Sequence, residues 1–441
     1  MKETSRSIGS PDLREISDAP ALNVPSSIGR ALTLVMAAAC GTCVANIYYN
    51  QPLLGLLERA FVGQNSIVEW VPTMTQLGYA VGLVCLVPLG DRVERRRLIL
   101  IQVAALALSL ALLALAPNAV VLVAASALVG VTASVAQQIV PFAAELAEPK
   151  RRGSVVGTVM SGLLCGILFG RALGGYVGEQ FGWRVTFWCG AALAVSTGCL
   201  LAATLPRRPP KTTDGYAMLM RSLVSLFMQE PALRRATAIQ AMLFGSFIAL
   251  WTILALRLET HFHLGAQIAG TFGIVGAVGV LVAPLAGRVA DRKGPHAVIG
   301  LGALVMLLSW VVFAGWTSLS GLVVGVILLD FGEQIALVCN QHVIYALRPE
   351  ARSRVNTIFM GGMFVGGAIG SWFAGIVWQT DGWEAVARLG VVLVLLGASI
   401  HARGRAVQAK RTREERSQRH VAIEVPTQKP GRPSRPNTHL E

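Results

Sequence analysis

Twelve stretches of mostly apolar residues, spaced along almost the whole chain, restrict what this sequence can fold into more than any other feature. They lie at 31–56, 67–90, 98–116, 119–145, 154–178, 185–205, 236–257, 266–287, 296–316, 319–346, 355–378 and 385–401. A helix needs roughly 20 apolar residues to cross a bilayer. Runs of this length without period-two alternation exclude an outer-membrane barrel. Composition agrees: 54% of the 441 residues are hydrophobic and only 14% are charged, against about 25% charged in soluble domains. Too little polar surface remains to cover several soluble cores. The expected fold class is an all-α membrane protein with twelve transmembrane helices.

The charges fix an expected orientation. Nineteen Lys and Arg fall in one set of short loops, from Arg92 to Arg354, and four in the opposite set, Arg59, Arg184, Arg257 and Arg388. The positive-inside rule places the first set and both termini in the cytoplasm. The net charge of +14 comes from these clusters and from the tail. That is how cytoplasmic loops look, and it argues against nucleic-acid binding. The seven cysteines all lie in apolar stretches. Cys40 and Cys43 have redox or metal spacing, but no second pair or nearby His completes a site, so they read as small hydrophobes. No phosphate-cradling loop, zinc-protease motif or nucleophile elbow is present. Neither metal, cofactor nor enzymatic activity is expected.

The chain divides into five segments. Residues 1–29 form a polar, disordered cytoplasmic lead with no removable signal peptide. Residues 30–205 hold six spans, and 206–235 form a basic, Pro-rich cytoplasmic linker with an amphipathic piece from Met218 to Met228. Residues 236–401 hold six more spans. Residues 402–441 form a disordered tail with ten Lys and Arg against four Glu, suited to an anionic lipid surface.

The two halves repeat at an offset of 200 residues. Asp91-Arg92 matches Asp291-Arg292, Pro149 matches Pro349, and Arg152 matches Arg352. Gly162, Gly166 and Gly170 match Gly362, Gly366 and Gly370, and Gly182-Trp183 matches Gly382-Trp383. Equivalent spans share one orientation, so the repeat is parallel about an axis along the membrane normal, a symmetry found in transporters. Two such six-helix bundles can rock about a central site and expose it to each side in turn.

On these residues the chain resembles the major facilitator superfamily over roughly 30–401. The Asp91-Arg92 and Asp291-Arg292 loops are similar to that family's loop signature. The second copy, from Gly287 to Gly294, is followed by Pro295 and His296 where basic residues are usual. The first copy has Val87 and Glu94 where glycines are usual. The stretches Ala45 to Leu54 and Leu329 to Ser371 are similar to a bacterial branch grouped with the drug:proton antiporters and sugar-efflux proteins. The resemblance implies a secondary transporter in the inner (plasma) membrane that takes a small-molecule substrate and protons as partners and acts as a monomer.

Candidate site residues come from polar groups inside the spans. Arg171 lies near the middle of span 5, where a charge costs roughly 3 kcal/mol or more. It reads as a site for an anionic group, as the counter-ion of an intramembrane acid, or as a side chain snorkelling to the interface. In span 10, Asp330, Gln334 and Gln341 share a narrow stripe with Glu333 on its flank. A carboxyl buried there can exchange a proton near neutral pH, so Asp330 and Glu333 are candidate proton carriers; the alternative is hydrogen bonding between spans. Asn46, Tyr49 and Asn50 share a face of span 1, ahead of Pro52, which should bend the helix end. Their amides and phenol suit a polar or aromatic solute or polar packing. Gln138 in span 4 is a further candidate for the solute site, and Glu145 for a cytoplasmic gate or for transport. Asp91, Arg92, Asp291 and Arg292 read as latches at cytoplasmic helix ends, or as topogenic charge. Gly162, Gly166, Gly170 and Gly174 in span 5, with Gly362, Gly366 and Gly370 in span 11, form small-residue stripes for close helix packing. Those stripes serve either sliding between the halves or static contact. Arg171 stands where the family's span-5 motif often has proline, and Ser126 where its drug antiporters often place a buried arginine.

The expected function is therefore proton-coupled efflux of a small organic solute. Uptake or facilitated movement of a small anionic solute is an alternative, and a non-transporting membrane sensor or enzyme is another.

Overall fold

In the computed structural model, residues 28–209, 215–281, 294–348 and 351–424 are described. Every regular element among them is helical. In chain order they are α1 (Arg30–Ala45), α2 (Asn50–Ala60), α3 (Asn65–Val68), α4 (Trp70–Leu86), α5 (Arg95–Ala114), α6 (Ala119–Ala133), α7 (Ala136–Leu146), α8 (Arg152–Phe181) and α9 (Trp183–Thr204). After these come α10 (Tyr216–Gln229), α11 (Pro231–Phe262), α12 (Ala266–Leu281), α13 (Pro295–Gly315), α14 (Leu319–Tyr345) and α15 (Arg352–Glu424).

The repeat governs where helices begin. α6 starts at Asn118, whose side chain accepts from the Val121 amide, and α14 starts at Ser318, which accepts from Gly321 in the same way. The turn between α8 and α9 passes through Gly182 at φ 90°, and the kink inside α15 passes through Gly382 at φ 64°. Both are left-handed positions that favour glycine. Gly382 divides α15 into two spans, 352–381 and the stretch from 383 onward. With α1–α2 and α6–α7 each counted as one, and with the described part of α12, the helices among the described residues follow the twelve apolar stretches in order.

Two departures from the expected helices are local. Span 1 is interrupted at 46–49, where Ile47 and Tyr48 donate three residues back, to Val44 and Ala45. The helix resumes at Asn50, so Pro52 sits in the first turn of α2, where a missing N–H costs nothing. The bend thus lies one turn ahead of the proline. At the other end, the tail expected to be unstructured from 402 continues α15 as far as Glu424. Between Gly404 and Pro426 the sequence has no Gly or Pro and is rich in Arg, Glu and Gln, which favours helix.

Within each half the glycine stripes set helix spacing. A Cβ on Gly162, Gly166 or Gly170 would collide with the backbone of Ala37, Gly41 or Ala45 of α1. A Cβ on Gly362, Gly366 or Gly370 would meet Thr237, Ala241 or Gly245 of α11. Every pair follows the 200-residue offset. Leu108, Val120, Phe169, Leu304 and Leu308 project from the outer surface, as a lipid-facing belt requires.

The halves meet along α4 against the first part of α15 and along α8 against α12. Thr73 donates to Ser371 at 3.1 Å, and the Tyr79 and Phe364 rings are 4.4 Å apart. On the side opposite the basic loops, Arg59 pairs with Glu259, and Glu179 accepts from the Gln267 amide at 2.6 Å.

Candidate functional site

Arg171 is the centre of the site. It is 2% exposed, midway along α8 on the face toward α12. α12 presents Gly270 and Gly273 there, and a Cβ on either would meet the backbone or side chain of Arg171. Glycine at both positions lets the helices close while leaving the guanidinium its space. Nε donates to Gln51 Oε1 at 2.8 Å. The guanidinium carbon lies 3.7 Å from the Trp251 ring centroid and 4.7 Å from that of Tyr48. A desolvated cation over an indole gains about 2 kcal/mol, which together with the charge-assisted bond offsets part of its burial cost. Nη2 is buried without a partner. Snorkelling is excluded by this geometry.

Asp330, 6% exposed, lies across the interface. It interacts electrostatically with Arg171 and is flanked by Trp251. Its carboxyl rests against Gly276 of α12, and its Oδ2 has no partner. One turn further along α14, Glu333 Oε1 accepts from Gln240 Nε2 at 2.6 Å, and Gln240 Oε1 accepts from Asn340 at 2.9 Å. Glu333 Oε2 has no partner. The centre therefore offers unsatisfied donors, Arg171 Nη2 and Gln51 Nε2, beside an unsatisfied acceptor on Asp330, with another on Glu333 a turn away. Leaving such groups buried costs about 1–3 kcal/mol each, so a solute or proton that satisfies them binds favourably.

The break at 46–49 redistributes the span 1 candidates. Tyr48 and Gln51 turn toward Arg171. Asn46 donates to Thr42 O at 2.7 Å, and its Oδ1 faces Gly190 of α9. Tyr49 lies against Gly174 and Gly190, inside the first bundle. Asn50 donates to Thr75 of α4 at 2.8 Å. Of the face expected to meet solute, Asn46 and Tyr49 instead pack helices. The equivalent of Asn46 in the second half behaves alike: Ser246 donates to Gly390 O and accepts from Trp310.

Gln138 also lies away from the centre. It donates to Gln102 Oε1 at 2.5 Å and to Leu86 O at 3.2 Å, tying α7 to α4 and α5. Gln334 is half-buried, and Gln341 points to Met360 Sδ at 3.8 Å. Among the latch residues, Asp91 pairs with Arg95 at 2.6 Å, and Arg95 reaches Glu145 at 3.2 Å. Arg92 is exposed. Arg95 is the hub, and the cluster braces the turn at Pro88–Asp91, α5 and α7 within one half. Asp291 and Arg292 lie outside the described residues.

Sequence reasoning missed Tyr48, Gln51, Trp251 and Gln240 at the centre and the Arg59–Glu259 pair. Applying the 200-residue offset one position at a time would have paired Gln51 with Trp251 and Arg59 with Glu259. Among the described residues no group of three His, Cys, Asp or Glu is placed to hold a metal ion. Cys40 instead donates to Ala136 O at 3.4 Å.

Two repeated bundles of apolar helices closing on a buried, charged centre define a multi-pass membrane transporter. The family model described as Major Facilitator Superfamily matches residues 34–296 and again 236–433. The chain belongs to that superfamily, whose members are transporters rather than enzymes. It is 38% identical over 376 residues to the uncharacterized transporter YgaY of Escherichia coli O157:H7, covering 85% of this chain and 95% of that protein. It is 35% identical over 385 residues to a probable transporter of Streptomyces coelicolor, covering 85% and 87%. Among solved structures, a bacterial homolog of the human lysosomal transporter Spinster superposes with a TM-score of 0.70 at 15% identity, covering 84% of this chain and 95% of that one.

Proposed function

We propose that this chain is a proton-coupled carrier of the inner (plasma) membrane, both termini cytoplasmic, that exports a small organic solute by alternating access. The observation that carries the reading is the Arg171 centre: a buried guanidinium with one unpaired nitrogen, at the contact between the halves, beside the carboxyl of Asp330. With Asp330 ionised, the two charges hold each other. A donor or cationic group of the solute takes the ionised Asp330 carboxyl beside Arg171, and a proton on Asp330 removes that acceptor and releases the solute. Proton and solute thus compete for one carboxyl, and an inward proton gradient drives the solute out. Tyr48 and Trp251 supply the aromatic walls, and Gln51 a donor. Glu333, held by Gln240, which Asn340 holds in turn, is the second proton site, one turn toward the basic loops. The Arg59–Glu259 pair holds the outer side shut while the basic-loop side loads.

The test is transport in proteoliposomes containing only this protein, across a panel of labelled solutes, with and without a pH gradient and a protonophore. Gradient-driven flux that the protonophore abolishes, and that Asp330→Asn uncouples, is the expected result. A saturable flux of a small anion indifferent to the protonophore would replace this reading with facilitated anion movement, which the unpaired Arg171 nitrogen also suits.

A further inference from the structure

A cluster of two arginines and two histidines lies away from the central site, at the basic-loop end of the second half. The first turns of α11 and α13, the end of α14 and the later part of α15 enclose a narrow cleft of ≈ 30 Å³, open to the surface. Arg235, His296, His401 and Arg405 line it, and Asn340 and Ile299 form part of its wall. The His296 and His401 rings are 5.9 Å apart. His401 is 8% exposed, and its Nε2 is buried without a partner. Arg235 spends one N–H on Gly404 O at 3.2 Å. α13 begins at the same place with Pro295, and no side chain caps its start, so its free amides add positive potential. No carboxylate lines the cleft among the described residues.

Arg235 and Arg405, held together without an acid beside them, repel one another, and an anion removes that repulsion. The surroundings say which anion. Leu301, Leu304, Leu308 and Val311 run exposed along α13 above the cleft, and Val392, Leu395 and Leu396 run exposed along α15. The cleft therefore lies at the foot of two lipid-facing helices, at headgroup depth. Basic pockets between helices at that level suit anionic lipid headgroups.

We propose that this cleft binds the phosphate headgroup of an anionic membrane lipid, with its acyl chains along the exposed apolar faces of α13 and α15. Arg235 and Arg405 contact the phosphate oxygens, and His401 Nε2 donates from within. Because α11, α13 and α15 all contribute, the lipid clamps the second bundle at the end that bears the linker and the tail.

The experiment uses the full chain in a neutral detergent. Phosphatidylglycerol, phosphatidylcholine or inorganic phosphate is added, and binding is read by native mass spectrometry and by the shift in unfolding temperature. Phosphatidylglycerol should bind and stabilise, and phosphatidylcholine should not. Arg235→Gln with Arg405→Gln should weaken phosphatidylglycerol binding roughly 25-fold, about fivefold for each lost cation. Arg432→Gln with Arg435→Gln, which removes the same charge from the distal tail, should change it less than about twofold. Should the first pair fail to fold, His296→Gln alone should weaken binding severalfold. Equal loss with the tail variant, equal stabilisation by phosphatidylcholine, unchanged affinity in the cleft variants, or inorganic phosphate binding as tightly as the lipid would each overturn the proposal.

Discussion

Gln51 and Trp251 occupy equivalent positions of the two halves, 200 residues apart, and both lie against one guanidinium, that of Arg171. A single side chain on α8 thus reads the position of both bundles. If the halves rock, Arg171 keeps Gln51, in its own half, and exchanges its contacts with Trp251 and Asp330, in the other. The repeat equivalent of Arg171 is Ser371, which accepts from Thr252 at 2.9 Å and from Thr73 at 3.1 Å. The symmetry is kept in position and broken in chemistry, and the breaking is what makes a charged site on one side of the axis.

Replacing Arg171 should stop transport while leaving the fold intact. Arg171→Ala removes a stacked cation and a charge-assisted bond and should lower the initial rate roughly 100-fold. Arg171→Lys keeps the charge but loses the planar fork and its stacking, and should cost about tenfold. Initial rates in proteoliposomes, normalised to folded protein, check both. Wild-type rates for Arg171→Ala would remove this residue from the transport path.

Asp330→Asn should separate movement from coupling. The amide cannot take up and release a proton, so accumulation against a gradient should vanish while exchange of labelled for unlabelled solute persists. Measuring the two modes side by side distinguishes this from a general loss of function, which would depress both.

Glu333 should show a different order of severity. Glu333→Ala leaves the buried Gln240 amide without its acceptor, a loss of about 1–3 kcal/mol. Glu333→Gln keeps an acceptor oxygen and should cost less. Thermal unfolding of the two variants checks the ranking, and a milder Ala than Gln would mean that the Gln240–Glu333 bond does not hold α11 to α14.

The glycine stripes should tolerate no side chain where they touch backbone. Gly166→Val and Gly366→Val each force α8 from α1, or α15 from α11, at about 1–3 kcal/mol. Nothing lies within 4 Å of a Cβ built on Gly157, so Gly157→Val should stay within about 0.5 kcal/mol of the wild type. Unfolding temperatures of the three variants decide it.

The outer clasp should be a moving part. As an exposed pair, Arg59 and Glu259 contribute only about 0–1 kcal/mol, enough to bias a conformational equilibrium without dominating stability. With the exposed native Cys165, Cys189 and Cys199 replaced, Arg59→Cys with Glu259→Cys should cross-link the halves and arrest transport. A reductant should restore it. Undiminished transport in the cross-linked protein would show that this contact does not open in the cycle.

Much of this architecture is legible in the order of the residues. Spanning helices come from a solvent constraint: lipid leaves backbone polar groups no partner but each other, so long apolar runs must be helical. Gly182 and Gly382 mark turns because their backbone angle suits a residue without a Cβ. Gly162, Gly166 and Gly170 mark a close contact for a similar steric reason. Arg171 and Asp330 stand out because a charge in lipid is too costly to be incidental.

The facing of polar residues is not legible in the same way. Helical periodicity places Asn46, Tyr49 and Asn50 on one solute-facing side, but periodicity holds only along an unbroken helix. Two i→i+3 bonds at 46–49 rotate the residues beyond them, sending Tyr48 and Gln51 to the centre and Tyr49 into the first bundle. The sequence by itself determined the number of crossings, the repeat and the cost of each buried charge, because those depend on local chemistry and on lipid. Which side chains meet Arg171 was decided by the packing of α1, α2, α8, α11, α12 and α14 together, because a contact between distant residues depends on helix rotation and separation.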